Sequence, residues 1–168
     1  MIEAGRNVVY YKYPFYDLPS GKILNSYLRE GNPFNLTPRE VQTIYAFNRQ
    51  ESQHILKDLL DSGIDVIAED YAGTGICWGI GAGVDKKYLE LINYGLIRED
   101  LAFLFDGERF KEATEKGHKH ETDEDLLEKV RQAHLKIGEE RGWIKVNANL
   151  TIDKIHGIIW EEIKKHLN

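Results

Sequence analysis

The sequence predicts an α/β fold of three layers, in which a parallel sheet lies between helices on both faces. The first observation is a set of four short apolar runs with the length of buried strands, at residues 7–13, 65–70, 101–106 and 143–149. The second is that sequence with helical periodicity separates each run from the next, and strands that alternate with helices form parallel sheets. The chain of 168 residues has the length of one domain, so residues 1–168 are predicted to fold as a single unit.

Two helices are predicted between the first and second strands. The segment "SGKILNSYLRE" precedes "TPREVQTIYAFNRQESQHILKDLLDSG", in which Thr37 is the expected N-cap and Pro38 the first helical residue. Gly63 is the expected end of the second helix, because glycine adopts the left-handed conformation that closes helices. Ahead of the first strand, "MIEAG" resembles the last turn of a helix. It is either a fraying tail or the end of an upstream piece of the fold.

The remaining helices fill the other gaps. The segment "KKYLELINYGL" follows the second strand, and "TDEDLLEKVRQAHLKIGEERG" precedes the fourth, with acidic residues in its first turn and Gly142 at its end. The last helix, "TIDKIHGIIWEEIKKHL", places four isoleucines on one face, at positions 155, 158, 159 and 163.

Composition disfavours several classes of partner and location. A net charge of −6 disfavours a nucleic-acid partner, because the phosphate backbone repels an acidic surface. No apolar run approaches the length of a membrane span, which disfavours a membrane partner. The single cysteine, Cys77, cannot form an internal disulfide, so we expect a cytoplasmic location.

The stretch "VIAEDYAGTGICWGIGAGVD", residues 66–85, is the strongest candidate for a site. Two adjacent carboxylates, Glu69 and Asp70, end an apolar strand and are followed by glycine-rich sequence. Ligands of α/β proteins bind at this rim of the sheet, where glycines allow close approach to the main chain. The alternative is an ordinary strand-to-helix turn in which Asp70 is a helix N-cap.

A second candidate lies on the long helix. Tyr45 and Arg49 are one helical turn apart and therefore share a face. An aromatic ring can stack on a pyrimidine, and a guanidinium can bind its carbonyl group or an anion. The alternative is a core tyrosine beside a solvated arginine.

A third candidate is the cluster "HKHE" at residues 118–121. A metal site needs three or four ligands in a fixed geometry, so His118 and His120 are a weak metal signal. A cation at Lys119 that reaches towards phosphates, or a solvated loop, explains the cluster better.

From about residue 6 to its end, the chain resembles the thymidylate kinase family, which comprises ATP-dependent kinases of deoxythymidine monophosphate (dTMP) with a P-loop nucleoside monophosphate kinase fold. The resemblance rests on five segments whose order and spacing agree with the family: "YPFYDLPSGKILNSYL", "IYAFNRQES", "EDYAGTGICWG", "LAFLFD" and "GERFKEATEKGHKHETD".

The resemblance implies an activity and its parts. The expected reaction is transfer of the γ-phosphoryl group of ATP to dTMP, which gives dTDP and uses Mg²⁺. The expected ligands are therefore small nucleotides, and the expected assembly is a homodimer. Glu69 and Asp70 are the expected catalytic residues, one of them near Mg²⁺ through water. The expected substrate-binding residues are Tyr16, Tyr45, Arg49, Tyr71, Thr74, Gly75 and Trp78. A lid at about 107–123 would contribute His118, Lys119 and His120.

The chain departs from the family pattern in three places. It has Glu-Asp-Tyr where the family has Asp-Arg-Tyr, so a carboxylate at Asp70 replaces a cation. Phe15 and Tyr16 stand where many members carry an arginine that holds the substrate phosphate, which leaves Lys12, Lys22 and Arg49 as nearby cations. The phosphate-binding fingerprint G-x-x-x-x-G-K-S/T is absent from the 168 residues.

These departures lead to further expectations. We expect a chain shortened at its N-terminus, without the central strand, the phosphate-binding loop and most of the first helix, about 30 residues in all. The absent strand would lie between residues 65–70 and 101–106. The chain alone is then expected to be inactive. The alternatives are a non-catalytic nucleotide-binding or subunit-like protein and a kinase of another nucleoside monophosphate.

Overall fold

Four parallel strands and six helices make up the part of the chain that the computed structural model describes, which is residues 1–2, 5–108 and 123–167. In chain order they are β1 (Val8–Lys12), α1 (Pro19–Arg29), α2 (Pro38–Asp61), β2 (Asp65–Glu69), α3 (Ala72–Gly81), α4 (Lys86–Ile92), β3 (Phe103–Asp106), α5 (Glu124–Arg141), β4 (Ile144–Asn147) and α6 (Ile152–Lys164). Each predicted strand is found, and the α/β class is confirmed.

The strands pair in parallel, but as two separate pairs. β1 pairs with β2, from Val8 opposite Asp65 to Lys12 opposite Glu69. β3 pairs with β4, from Phe103 opposite Ile144 to Asp106 opposite Asn147. The predicted parallel pairing is confirmed, and within the described residues β2 and β3 are not hydrogen-bonded to each other. The family resemblance places the absent strand between these two strands, β2 and β3.

Some apolar side chains on the strands are exposed. Tyr10 and Ile67 lie on the same face of the β1–β2 pair and are 56% and 45% exposed, and Phe105 of β3 is 52% exposed. Helix α2 packs against β2, and helix α5 packs against β3. Within the described residues, each strand pair therefore keeps part of its apolar surface exposed.

Helix ends follow the local rules of capping. Thr37 and Glu40 form a reciprocal capping box at the start of α2: the Thr37 hydroxyl accepts from the Glu40 amide at 3.3 Å, and the Glu40 carboxylate accepts from the Thr37 amide at 2.8 Å. Helix α5 starts with the Asp123 carboxylate accepting from the Leu126 amide and ends at Gly142, where φ is 69°. These predicted ends are confirmed.

Two apolar clusters hold the helices together. Leu24, Tyr27, Leu28 and Val41 join α1 to α2. Cys77 of α3 packs against Ala133 and Ile137 of α5. In α6, by contrast, none of the side chains is fully buried, so its predicted isoleucine face is only partly covered. No helix among the described residues combines the length and hydropathy that a membrane span requires. The clusters fix α2 and α3, which carry the candidate site.

Candidate functional site

The candidate residues of β2, α2 and α3 meet where the β1–β2 pair ends. Because β1 and β2 are parallel, Lys12 and Glu69 lie at the same end of the pair. The residues that follow each strand form hydrogen bonds with side chains of α2. The rings of Tyr13 and Tyr71, which follow the two strands, lie 5.1 Å apart. The guanidinium of Arg49, from the middle of α2, donates to the main-chain oxygen of Asp70 at 3.3 Å.

Arg49 has the most unusual surroundings of the candidate residues. Its side chain is buried, with only 3% of the residue exposed, and no carboxylate forms an ion pair with it among the described residues. Its Nε and Nη1 atoms have no hydrogen-bond partner in the part of the chain that the structure describes. Burial lowers its pKa well below the usual range of an arginine, to about 10, so the group stays charged at neutral pH. A buried cation with unused donors is costly, and an anion or a carbonyl group would satisfy it.

Tyr45 and Gly75, both expected as substrate-binding residues, lie against Arg49 in the structure. The Tyr45 ring centre lies 5.9 Å from the guanidinium carbon, within cation–π range. A Cβ atom on Gly75 would lie 2.7 Å from both Nη1 and Nη2 of Arg49. Glycine at this position therefore lets the guanidinium lie against the first turn of α3. The alternative of a solvated Arg49 is wrong.

Tyr71 supplies a second unused polar group. Its hydroxyl is buried and has no hydrogen-bond partner in the described ranges, and burial raises its pKa. Thr74 and Trp78 lie three and seven residues further along the chain, on the face of α3 that Gly75 shares, and both are half-buried. The site thus combines unsatisfied donors with aromatic walls, which suits a planar ring that carries polar groups.

Tyr16 lies in the loop after β1. It is 38% exposed and directly follows Phe15, whose amide donates to the side chain of Asn48, the residue before Arg49. Sequence reasoning placed Tyr16 here by resemblance. It did not identify Tyr13, which is 2% exposed and packs between Phe15 and Tyr71, with ring centres 4.9 and 5.1 Å away.

Glu69 turns towards β1 and is already paired. Its carboxylate accepts from Lys12 at 2.8 Å and from the Tyr10 hydroxyl, and these two bonds lower its pKa. The parallel register places Lys12 directly opposite Glu69 and Tyr10 on the same face. Lys12 therefore neutralises Glu69 and is not a free cation for a ligand phosphate.

Asp70 sits in the left-handed region, with φ at 58°. Aspartate tolerates this conformation better than most residues with a Cβ atom. The N-cap of α3 is Tyr71, so the interpretation of Asp70 as the helix cap is wrong. Although the residue is exposed, desolvation by the surrounding chain and repulsion from Glu69 raise the pKa of its carboxyl group. Lys12, Arg49 and His134 of α5 act in the opposite direction.

A divalent cation would suit Asp70 better than Glu69. Within the described ranges, no three histidine, cysteine or acidic side chains converge as a metal site. Mg²⁺ commonly keeps several waters and takes one or two carboxylates plus phosphate oxygens. Asp70, whose ionised form is disfavoured without a nearby cation, fits that requirement, whereas Glu69 is occupied by Lys12. His118, Lys119 and His120 lie outside the described residues.

Comparisons with known proteins agree on one family. A family model described as thymidylate kinase matches residues 1–159. The chain is similar to a thymidylate kinase of Dictyostelium discoideum, at 26% identity over 147 residues that cover 86% of this chain and 65% of that protein. It is also similar to a putative thymidylate kinase of Invertebrate iridescent virus 6, at 25% identity over 139 residues, which cover 82% of this chain and 64% of the viral protein. The chain thus spans slightly less than two thirds of each.

A solved structure supports the same assignment. The structure of thymidylate kinase from Candida albicans matches with a TM-score of 0.74 and 25% sequence identity, over 95% of this chain and 80% of that one. The agreement in fold extends over nearly all of the present chain.

Proposed function

Because the chain belongs to the thymidylate kinase family, we propose that it binds dTMP at the Arg49 site and takes part in ATP-dependent phosphorylation of dTMP to dTDP. The observation that carries the proposal is the buried guanidinium of Arg49, two of whose donor atoms have no partner among the described residues and lie beside the Tyr45 ring. A pyrimidine nucleotide has the three features that such a site recognises: a flat ring, carbonyl acceptors and an anionic phosphate.

The walls of the site define the roles of the other residues. Tyr45 offers a ring on which a pyrimidine can stack, beside the Arg49 donors. Thr74 and Trp78, on the α3 face that Gly75 shares, close the space around the base and sugar. The unpartnered Tyr71 hydroxyl and the exposed Tyr16 hydroxyl supply neutral donors for nucleotide oxygens.

The acidic pair has two different roles in this proposal. Mg²⁺, when bound with ATP, neutralises phosphate charge during transfer. Asp70 would hold a water of that ion, because a cation nearby favours its ionised form. Glu69 keeps Lys12 and Tyr10 in place along β1 and remains ionised at neutral pH. The carboxylate of Asp70 would repel a bare substrate phosphate, and the cationic Arg49 offsets part of that repulsion.

One alternative has support of its own. The fingerprint G-x-x-x-x-G-K-S/T is absent from these 168 residues, so a nucleotide-binding or subunit-like role without catalysis is the second candidate function. The third, phosphorylation of another monophosphate, follows from Phe15, Tyr16 and Asp70 standing where the family resemblance gives arginines. A homodimer in the cytoplasm is our expectation for each of these functions.

The experiment that tests the proposal is ligand-induced stabilisation. We expect dTMP to raise the thermal midpoint of the 168-residue chain in a concentration-dependent way, because a ligand at a hundred times its Kd stabilises the native state by about 2.7 kcal/mol. Deoxyguanosine monophosphate and uridine monophosphate, a ribonucleotide, are the comparison ligands. Equal stabilisation by all three would favour another monophosphate as substrate, and no stabilisation by dTMP would refute the proposed site.

Gly75→Ala is expected to weaken dTMP binding about tenfold while leaving the fold intact. The new methyl group would meet both terminal nitrogens of Arg49 at 2.7 Å, so the guanidinium must move. Alanine also favours a helix over glycine by roughly 0.5–1 kcal/mol, so stability should not fall greatly. The measurement is the dTMP Kd by titration calorimetry, together with the thermal midpoint.

The matched control is Gly157→Ala in α6. A Cβ atom at Gly157 meets nothing within 4 Å, so the variant gains the same helical preference without moving a neighbour. Its dTMP affinity should equal that of the parent. If Gly75→Ala binds as tightly as Gly157→Ala, the Arg49 guanidinium is not the group that recognises the nucleotide.

A further inference from the structure

Asn48, the residue before Arg49 in α2, binds the loop that carries Tyr16. Its side chain is completely buried, with 0% of the residue exposed. Its Oδ1 accepts from the Phe15 amide at 2.8 Å, and its Nδ2 donates to the Phe15 carbonyl at 3.1 Å. The amide therefore binds both main-chain groups of Phe15, as a neighbouring strand would, and fixes the backbone immediately before Tyr16.

The remaining donor of Asn48 joins this loop to α1. Nδ2 also donates to the Ser20 hydroxyl at 2.8 Å, and that hydroxyl donates to the Glu51 carboxylate at 2.6 Å. A Cβ atom on Gly21 would lie 1.8 Å from the Phe15 carbonyl oxygen, so α1 packs directly on the same peptide group. The Phe15 carbonyl is thus held between the Asn48 amide and the main chain of Gly21.

This arrangement has a consequence for the nucleotide site. Tyr16 is the first residue after the fixed Phe15 peptide, so the position of that peptide sets the point from which the Tyr16 side chain extends. The family resemblance gives a phosphate-binding arginine near this point of the loop, where this chain has only Phe15 and Tyr16. A neutral hydroxyl on a short side chain must be placed more accurately than a long arginine to reach a phosphate oxygen.

We propose that Asn48 is a positioning residue for the monophosphate: it holds the Phe15 peptide so that the Tyr16 hydroxyl donates to the phosphate of the bound nucleotide. Asn48 itself is enclosed by protein and acts only through this loop. Its neighbour Arg49 binds the nucleotide directly, so one turn of α2 carries both the ligand group and the anchor of the loop. The inference rests on the proposed function, because it requires a nucleotide at the Arg49 site.

The test is a double-mutant cycle of Asn48→Asp and Tyr16→Phe. Asn48→Asp keeps the volume but replaces the Nδ2 donor with an oxygen that faces the Phe15 carbonyl, so the loop is released. We expect each single variant to bind dTMP roughly ten- to a hundredfold more weakly by calorimetry, which is the loss of one hydrogen bond to a charged group. The double variant should bind no more weakly than the weaker single variant, because both changes remove the same contact.

Two further measurements separate positioning from stability. Thymidine, which lacks the phosphate, should bind all four proteins of the cycle equally. Ile137→Val, which removes a buried methyl group in the α3–α5 cluster, should lower the thermal midpoint without changing dTMP affinity. If Asn48→Asp does not fold, Ser20→Ala replaces it in the cycle, since it removes only one acceptor of Asn48.

The outcomes distinguish this inference from the proposed function. If the losses of dTMP affinity in the two single variants multiply in the double variant, the positioning role is overturned. An equal loss of affinity for thymidine and for dTMP would overturn it as well, and both outcomes leave the Arg49 site intact. Absence of dTMP binding by the parent chain would overturn the proposed function, and the positioning role with it.

Discussion

Arg49→Met is expected to reduce dTMP affinity by two orders of magnitude or more while leaving the ligand-free protein at least as stable as the parent. The two halves of this result have different causes. Affinity falls because charge-assisted hydrogen bonds contribute about 1.5–3 kcal/mol each, and Arg49 has two unpartnered donor atoms for a ligand. Stability does not fall, because methionine fills a similar volume and carries no buried charge.

The cost of the buried guanidinium can be estimated from its pKa. Burial lowers that pKa well below the usual range of an arginine, to about 10, which corresponds to about 3 kcal/mol against the charged native state. Because the folded pKa lies below the unfolded one, the native state carries this full cost at every pH below about 10, and the cost disappears as the pH rises through that range. At neutral pH, Arg49→Met removes it.

The measurements are thermal unfolding without ligand and calorimetric titration with dTMP and with thymidine. A larger loss for dTMP than for thymidine would assign Arg49 to the phosphate, and an equal loss would assign it to the pyrimidine carbonyl. Arg49→Lys is the matched charge control, because it keeps a cation but not the planar set of donors. Its affinity for dTMP should lie between those of the parent and of Arg49→Met. A destabilised Arg49→Met protein that still binds dTMP would make Arg49 a structural residue.

The local features of the fold could be predicted from the sequence. Thr37, Pro38 and Gly142 mark helix ends because capping depends on neighbouring residues, and all three are found in those roles. Tyr45 and Arg49 were placed together because a helix brings residues four apart onto one face. Gly75 joined the site only through the family resemblance, and its close approach to the guanidinium supports that placement.

The features that depend on distant pairing could not be predicted. The partnership of Glu69 with Lys12 and Tyr10 requires the register of β1 against β2, across almost 60 positions of sequence. No sequence pattern shows that Arg49 has no carboxylate partner in the part of the chain that the structure describes, since that depends on what α3 and the Tyr13 loop place around it. The positive φ of Asp70 was missed for the same reason, because an acidic residue before a helix also fits an N-cap.

The second large effect that we expect is a loss of catalysis in the 168-residue chain by itself. Phosphoryl transfer depends on positioning and charge stabilisation by a main-chain cradle and a lysine, and these 168 residues contain no G-x-x-x-x-G-K-S/T segment. Loss of one well-placed donor costs roughly a hundred- to a thousand-fold in rate. We therefore expect the 168-residue chain by itself to bind dTMP but to show no detectable dTMP-dependent release of ADP from ATP.

The same reasoning predicts what would restore activity. β2 and β3 are not paired with each other, and Ile67 and Phe105 on them are 45% and 52% exposed. Unpaired edges beside apolar side chains favour self-association. A strand, a G-x-x-x-x-G-K-S loop and a helix, fused ahead of Met1 or added as a second polypeptide, should pair with both edges, raise the thermal midpoint and suppress aggregation.

The decisive comparison uses two extensions that differ in one residue of the added loop. The loop with lysine should restore both stability and turnover, whereas the same loop with alanine in place of that lysine should restore stability alone, because the strand still pairs but the phosphate charge is not neutralised. Coupled detection of ADP release measures turnover, and sedimentation measures the association state. Turnover by the unextended chain would mean that other residues bind the ATP phosphates. Failure of both extensions to raise the thermal midpoint would mean that the gap between β2 and β3 does not accept a strand, and the non-catalytic alternative would then be favoured.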